Sequence, residues 1–479
     1  MRQPYGSTMA TSLTALDGTF LELEDADRTA HMHIGGILVF DPPQKHRAPT
    51  LDEVREHLDA RIDALPRYRQ RLSAEKPNVL SWPDWVDDDE FDITRHVRRA
   101  ALPHPGGWEE LLEWAGEFYS RRLDRTRPLW EIVLVENLSA GHWALATKTH
   151  HSMVDGVGSV DVAHLLLDVT PDAPHWTVEP PARPTGHLEL PALPHWIPAH
   201  RFTAAVKGAT GAALDAAGAA LHPRATAHRI VAAANVALRD ELNAAPHTTL
   251  NERLGTDREL RALRLSLDEA KAVKNALGGT VNDVVLAGVT GGLRALLQHR
   301  GEQLPQQGLR AMVPMNVRAA QEHGAELGNK ITSLFVDLPV AEPDPEERYA
   351  KIAATTEKLK HSSAPEGAGG IVAGAALAPP VLHALFARSL FGTRLFNLTV
   401  TNVPGPQQTL YAFGAPLKTI YPLVPLAAEH AVGIAIASYD GQLCFGINAD
   451  RDSVPDVDVL AEGIVASLAE LQRLARAPR

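Results

Sequence analysis

Along residues 141–149 apolar and polar positions alternate, with Trp143, Leu145, Thr147 and Thr149 on one side and Ala144, Ala146 and Lys148 on the other. That two-residue period predicts a strand. Residues 130–136 (WEIVLVE) read as a second strand, and the short turn 137–141 joins the two into an antiparallel hairpin. The hairpin sets Pro128, Leu129 and Trp130 near whatever follows residue 149. A further strand is predicted at 33–40 (HIGGILVF). Helix signals lie between these strands. Thr50 and Glu53 form a capping box ahead of Val54, Leu58 and Ile62, and 108–118 (WEELLEWAGEF) carries a helical pattern.

Residues 170–202 are rich in proline and read as a linker or crossover, and an Ala-rich segment, 203–238, reads as helix broken at Pro223. The mixed pattern then restarts. Strands are predicted at 260–265, 309–317, 331–338, 395–401, 431–438 and 442–448, the last two joined by the hairpin signal Asp440-Gly441. Ser266 with Glu269, and Thr280 with Asp283, open helices, and others are predicted at 343–360 and 455–476. The predicted fold class is α+β in two lobes. Residues 1–170 form an N-terminal lobe, 171–240 a crossover and 241–479 a C-terminal lobe, with a site between the lobes.

Length and charge narrow the partners. The 479 residues suffice for two domains, and the net charge of −12 argues against nucleic acid and against simple adhesion to anionic membranes. A polyanionic ligand would need a local basic patch, for which Arg121, Arg122, Arg125 and Arg127, or Lys148, Arg310 and Arg318, are candidates. The single cysteine, Cys444, excludes an internal disulfide and reads as a buried core thiol in a reducing compartment. The first residues lack the apolar core of a signal peptide, so a cytoplasmic location is expected. Residues 367–387 lack formal charge but are split by Pro379-Pro380. They read as two short helices that are buried or surface-associated, lining an acyl pocket or touching a lipid surface, and not as a span.

The chemistry concentrates in residues 149–158 (THHSMVDGVG). Histidine is the side chain best suited to take a proton near neutral pH. If the strand continues, His151 shares the face of Trp143 and Leu145 while His150 points the other way, into packing or a hydrogen bond. Asp155, Gly156 and Gly158 precede Val160, Val162 and Leu165, a turn entering an apolar helix. Asp155 suits a cap or a partner for an arginine, and the glycines allow close backbone approach. A lone histidine is most often structural, but this grouping at a strand–turn–helix junction points to function. A metal site on His151 and Asp155 lacks a third ligand at a fitting spacing, so no metal is expected.

His150-His151-Ser152-Met153-Val154-Asp155-Gly156 matches the HHxxxDG motif of acyltransferases related to chloramphenicol acetyltransferase and to condensation domains. Further segments resemble the bacterial wax ester synthase/diacylglycerol acyltransferase family. These are LDGTFL at 16–21, Pro128-Leu129-Trp130-Glu131, Asn282-Asp283 and the residues after it, Pro314-Met315-Asn316-Val317-Arg318, Gly328-Asn329, TNVPGP at 401–406 and Ser438-Tyr439-Asp440-Gly441. The resemblance implies two chloramphenicol-acetyltransferase-like lobes with a tunnel between them. Acyl-CoA would be the co-substrate, with no other cofactor, and the acceptor would be diacylglycerol or a long-chain alcohol. It implies direct transfer with His151 as general base, and peripheral contact with a membrane or lipid-droplet surface. His150 is read as structural, Asp155 as holding the loop with Arg318 as one candidate partner, and Gly156 as making room for substrate. Asn282 and Asp283 are read as a helix start supporting the pocket from the second lobe, with functional loss on mutation. Pro128, Leu129 and Trp130 pack or wall the acyl tunnel, Asn316 and Arg318 belong to the pocket's support, and Asn402 makes a turn near the interlobe channel. A carrier-protein-dependent condensation enzyme and a non-catalytic acyl-lipid-binding protein are the alternatives.

Overall fold

The computed structural model describes residues 11–13, 15–42, 47–74, 82–153, 165–172, 244–316, 331–360 and 395–477. Before the crossover they comprise β1 (Thr11–Ser12), α1 (Ala15–Ala26), β2 (His33–Phe40), α2 (Leu51–Arg61), β3 (Gln70–Leu72), β4 (Asp84–Asp87), α3 (Ile93–His96), β5 (Val97–Ala101), α4 (Trp108–Ser120), β6 (Trp130–Glu136) and β7 (Trp143–His150). After it come β8 (Arg258–Ser266), α5 (Leu267–Leu277), α6 (Val281–His299), β9 (Leu309–Asn316), β10 (Ile331–Leu338), α7 (Pro345–Lys360), β11 (Leu398–Val403), β12 (Tyr411–Ala412), β13 (Ala415–Leu423), β14 (Val432–Tyr439), β15 (Gln442–Asp450) and α8 (Val457–Arg476).

Among the described residues two six-stranded mixed sheets carry the molecule, in the orders β12-β13-β2-β7-β6-β5 and β10-β9-β11-β14-β15-β8, with a small β1-β4-β3 sheet beside the first. The β6–β7 hairpin forms as its pattern predicts, with Trp130 opposite Thr149. Its turn places Asn137 and Ala140 at positive φ. Alternation along β7 sorts the two faces. Trp143 and Leu145 join a core with Trp85, Trp130 and Leu58, whereas Ala144 and Ala146 meet Leu111, Ala115 and Tyr119 under α4. Each large side chain so buried contributes about 1.5–3 kcal/mol.

Lys148 lies on the α4 face and is fully buried, its ammonium donating to the carbonyls of Phe118 and Arg121, each at 2.9 Å. It caps the end of α4, where carbonyls lack helical partners. Burial pushes its pKa down to about 8, although Glu131 opposes the shift. Lys148 is therefore a corrected expectation, because an amine bonded inward cannot form part of a basic patch for an anionic ligand.

The second lobe is built around α6, which packs on α8 and the sheet. The expected capping box is present, with Thr280 and Asp283 each satisfying the other's orphan donor. Gly291 and Gly292 let α8 come close, since a Cβ on Gly291 would lie 2.2 Å from the Ser467 hydroxyl. Asp440 and Gly441, both at positive φ, turn β14 into β15. Cys444 is a buried core thiol as expected.

One pairing departs from a division at residue 241. Strands β12 and β13 come from the second half, yet β13 pairs with β2 in the first sheet, Tyr421 opposite Ile37. The lobes also share a core. Leu23, Ala30 and Met32 of the first half are buried with Leu250, Leu254 and Leu426 of the second. Arg258, 3% exposed, bridges the same seam. Its guanidinium meets Asp450 and the Thr29 carbonyl, and its N–H donates to the Ser120 hydroxyl. No helix among the described residues is long and apolar enough to cross a membrane, and residues 367–387 lie outside them.

Candidate active site

Strand β7 reaches one residue further than expected. His150 is its last residue, paired with His33 at the start of β2, and its N–H donates to the Leu129 carbonyl at 2.9 Å. Met32, the residue before His33, is outside β2, so the ladder ends there, and His151 opens a one-turn 3₁₀ helix, His151–Met153. His151 thus lies past the end of the pleat, where strand alternation no longer assigns its face. The turn, not the pleat, aims it. Its N–H donates to the Met32 carbonyl at 2.8 Å, and its ring stacks on Phe20 with centroids 3.9 Å apart. Phe20 and Met32 both pack against the second lobe's core, which places His151 at the seam between the lobes.

The two rings experience different surroundings. His151 is half-buried, its Nδ1 is buried with no hydrogen-bond partner among the described residues, and burial pushes its pKa down to about 4. His150 is 1% exposed. Its Nδ1 accepts the Ser152 N–H at 3.1 Å and lies 2.7 Å from the Ser152 hydroxyl. A neutral ring with an accepting Nδ1 carries its proton on Nε2. That atom faces Glu24 Oε2 at 3.6 Å, a distance too long for a hydrogen bond but short for a dipole beside a charge. Burial lowers the His150 pKa against the pull of Glu24.

Glu24 is the centre of this floor. It is 1% exposed, lies 3.5 Å from His33 Nε2, and meets Arg122 at 2.9 Å and Arg125 at 2.5 Å. Burial alone would raise its pKa; the facing His150 N–H, with His33 and Arg125, holds the carboxyl far below the usual range instead. Burial also keeps His33 well below its ordinary value. A buried carboxylate of this kind survives only when paired. Among the described residues no group of three His, Cys, Asp or Glu side chains has a metal-holding arrangement.

The described arginines expected to form a basic patch each face a carboxylate, the pairs of Arg121 and Arg127 lying at the surface. Arg122 and Arg125 hold Glu24, Arg121 meets Glu117, Arg127 meets Asp124 and Arg310 meets Asp337. The other candidate residues divide into three groups. Leu129 and Trp130 are core residues beside the pair. Trp130 stacks on His96 at 4.6 Å and donates its Nε1–H to the Tyr68 carbonyl at 2.9 Å. Pro128 is buried and its carbonyl accepts the Trp130 N–H. In the second lobe the Asn402 amide donates to Asn282 Oδ1 at 3.3 Å, joining the end of β11 to the start of α6. Asp283, 1% exposed, adds to its cap a bond from the Thr356 hydroxyl at 2.6 Å. Asp155, Gly156 and Arg318 lie outside the described residues, and of Asn316 only the backbone, paired with Ile331 in β9–β10, is described.

Phe20, Glu24, His33 and Ser152 escaped the sequence reading. Phe20 stands within LDGTFL and Ser152 within the HHxxxDG segment, and an acid in LELEDA reads as solvated surface. Spacing links two of them. Phe20 and Glu24 are four residues apart, on one face of α1. Two surface cavities, one of about 300 Å³ beside α1 and one of about 410 Å³ between β8 and α8, are lined without His151. The residues that follow the histidine turn, 154–164, are outside the described set.

Comparison with known proteins places the chain. Residues 13–285 match the wax ester synthase/diacylglycerol acyltransferase catalytic domain, and 327–472 match the WS/DGAT C-terminal domain. A Mycobacterium tuberculosis protein named "Probable diacyglycerol O-acyltransferase tgs2" is 33% identical over 470 residues, covering 95% of this chain and 98% of that protein. The "Probable diacyglycerol O-acyltransferase tgs1" of the same organism is 31% identical over 97% of this chain and 96% of its own length. The solved wax ester synthase/diacylglycerol acyltransferase from Marinobacter aquaeolei superposes with a TM-score of 0.69 at 28% identity, covering 98% of this chain and all of that one (100%). A variant of the starter condensation domain of rhizomide synthetase, solved with C8-CoA and Leu-SNAC, shares the fold at a TM-score of 0.57, 14% identity and coverage of 98% and 95%. Two lobes of mixed sheet, the histidine pair at their seam and these likenesses together show that the chain is an acyltransferase and belongs to the wax ester synthase/diacylglycerol acyltransferase family.

Proposed function

We propose that this enzyme transfers a long-chain acyl group from acyl-CoA directly to the hydroxyl of diacylglycerol or a long-chain alcohol, with His151 as general base. The observation that carries the proposal is the seating of His151 at the lobe seam, its half-buried imidazole stacked on Phe20 and its backbone N–H donating to the Met32 carbonyl. With a pKa near 4 the free ring is neutral at neutral pH and ready to accept a proton. Its Nδ1 is buried, so Nε2 is the nitrogen left to meet substrate.

In the proposed step Nε2 takes the hydroxyl proton as the alcohol oxygen attacks the thioester carbonyl. The tetrahedral oxyanion needs hydrogen-bond donors, for which backbone N–H groups near Gly156 or the Ser333 hydroxyl are candidates. Collapse breaks the C–S bond, and the imidazolium returns its proton to the CoA thiolate, leaving ester and free thiol. An alcohol is a very weak acid and a desolvated imidazole a weak base, so positioning in a dry interlobe tunnel must supply much of the acceleration. Asp155 holds the loop that follows, Gly156 admits the substrate, and Asn282 and Asn402 support the pocket from the second lobe. Peripheral contact with a lipid surface would deliver the acceptor.

The test is release of free thiol from palmitoyl-CoA, with hexadecanol or a diacylglycerol as acceptor and the lipids separated by chromatography. Ester and thiol are expected in equal amounts, both dependent on acceptor. Thiol release without acceptor and without ester would make the protein a thioesterase and overturn the proposal.

A further inference from the structure

The mechanism above leaves unused the buried carboxylate that faces the histidine pair. Glu24 sits on α1, four residues after the phenylalanine that stacks on His151, so one helix face touches both histidines of the pair. Its carboxylate faces the Nε2 of His150, whose Nδ1 accepts from Ser152, and Ser152 lies in the 3₁₀ turn that begins with His151. The sequence of contacts runs from carboxylate to ring to turn to the neighbouring imidazole. If the His150 proton moved to Nδ1, the Ser152 N–H would lose its acceptor inside a site where Ser152 is 2% exposed. An unpaired buried donor is costly, so the turn would shift.

We infer that Glu24 is a positioning residue for acyl transfer: through its charge it fixes the tautomer and orientation of His150, and so the turn that aims His151, while Phe20 on the same helix face holds the His151 ring in plane. Arg122 and Arg125 pair with the Glu24 carboxylate as well. The inference rests on the reading of His151 as the base.

The test compares Glu24→Gln, Glu24→Asp and Ser152→Ala with the parent enzyme in the palmitoyl-CoA assay. Thermal melting and the ¹⁵N chemical shifts of the histidine rings are read alongside. Glu24→Gln keeps the volume and can still bond the arginines, which are about a quarter to a third exposed and open to water. A misplacement of about 1 Å can cost about 10²-fold, so kcat is expected to fall about 10- to 100-fold while KM for palmitoyl-CoA is unchanged. The His150 signals should lose the Nε2–H pattern, and Glu24→Asp should restore part of kcat. Ser152→Ala removes only the hydroxyl and strands no charge, so it should fold and still lower kcat. It decides the matter if Glu24→Gln does not fold. Parent-like kcat per folded molecule in both Glu24→Gln and Ser152→Ala, with His151→Ala inactive, would overturn this inference and leave the base intact. An active His151→Ala would remove both.

Discussion

The two lobes hold their key acids in opposite ways. Asp283 is secured by its own neighbourhood, bonding Thr280 three residues back and one hydroxyl of the packed α7, Thr356. Glu24 is secured from afar, by an arginine 101 residues away on the loop after α4 and by histidines that open β2 and end β7. A local cap can form before the lobe is complete. The Glu24 floor exists only once α1, two strands and the loop after α4 have assembled. The second arrangement ties the geometry of the active histidine to the integrity of the whole lobe.

That contrast can be broken at either acid. Glu24→Ala is expected to destabilise the protein by about 3 kcal/mol, the low end for loss of one partner of a buried pair, because both arginines are partly exposed. Urea unfolding measures it, and a cost no greater than that of Asp283→Ala would erase the distinction.

Acidification probes the same floor without mutation. Burial holds His151 and His31 near pKa 4, and His33 and His150 below their ordinary value of 6.5. Their folded values are depressed, so the unfolded chain binds protons first as the pH falls below about 6.5. The stability they contribute is complete above that point and is lost progressively toward pH 4. Glu24, also depressed, adds a loss of the same sign below its ordinary 4.5. The melting temperature should therefore drop between about pH 7 and pH 5. A flat melting curve over that range would mean that the histidines are already charged in the fold.

The smallest effect belongs to the local cap. Asp283→Ala removes a capping box and the Thr356 bond and is expected to cost about 1–2 kcal/mol in the same unfolding assay. A larger loss would show that the cap supports more of the second lobe than its own helix.

Local order was legible in the chain, and long-range order was not. The β6–β7 hairpin, the Asp440-Gly441 turn and the capping boxes at Thr50 and Thr280 each arise within a few residues, so periodicity and cap chemistry suffice. The end of β7 depends on where β2 begins, which no pattern in 141–151 reveals, so alternation does not reach as far as His151. Strand β13 joins the first sheet across nearly the whole chain. Lys148, Arg122, Arg125 and Arg310 read as available for an anion because their carbonyl and carboxylate partners lie on other elements. Trp130 sat close to the pair as the hairpin required, but its ring turned into the core beside His96 and Tyr68.

The central claim is that one imidazole at the lobe seam moves the proton. His151→Ala, checked by its melting curve to be folded, should lose about 10²–10⁴ in turnover of palmitoyl-CoA with hexadecanol. A folded His151→Ala that still makes ester at close to the parent rate would contradict the account.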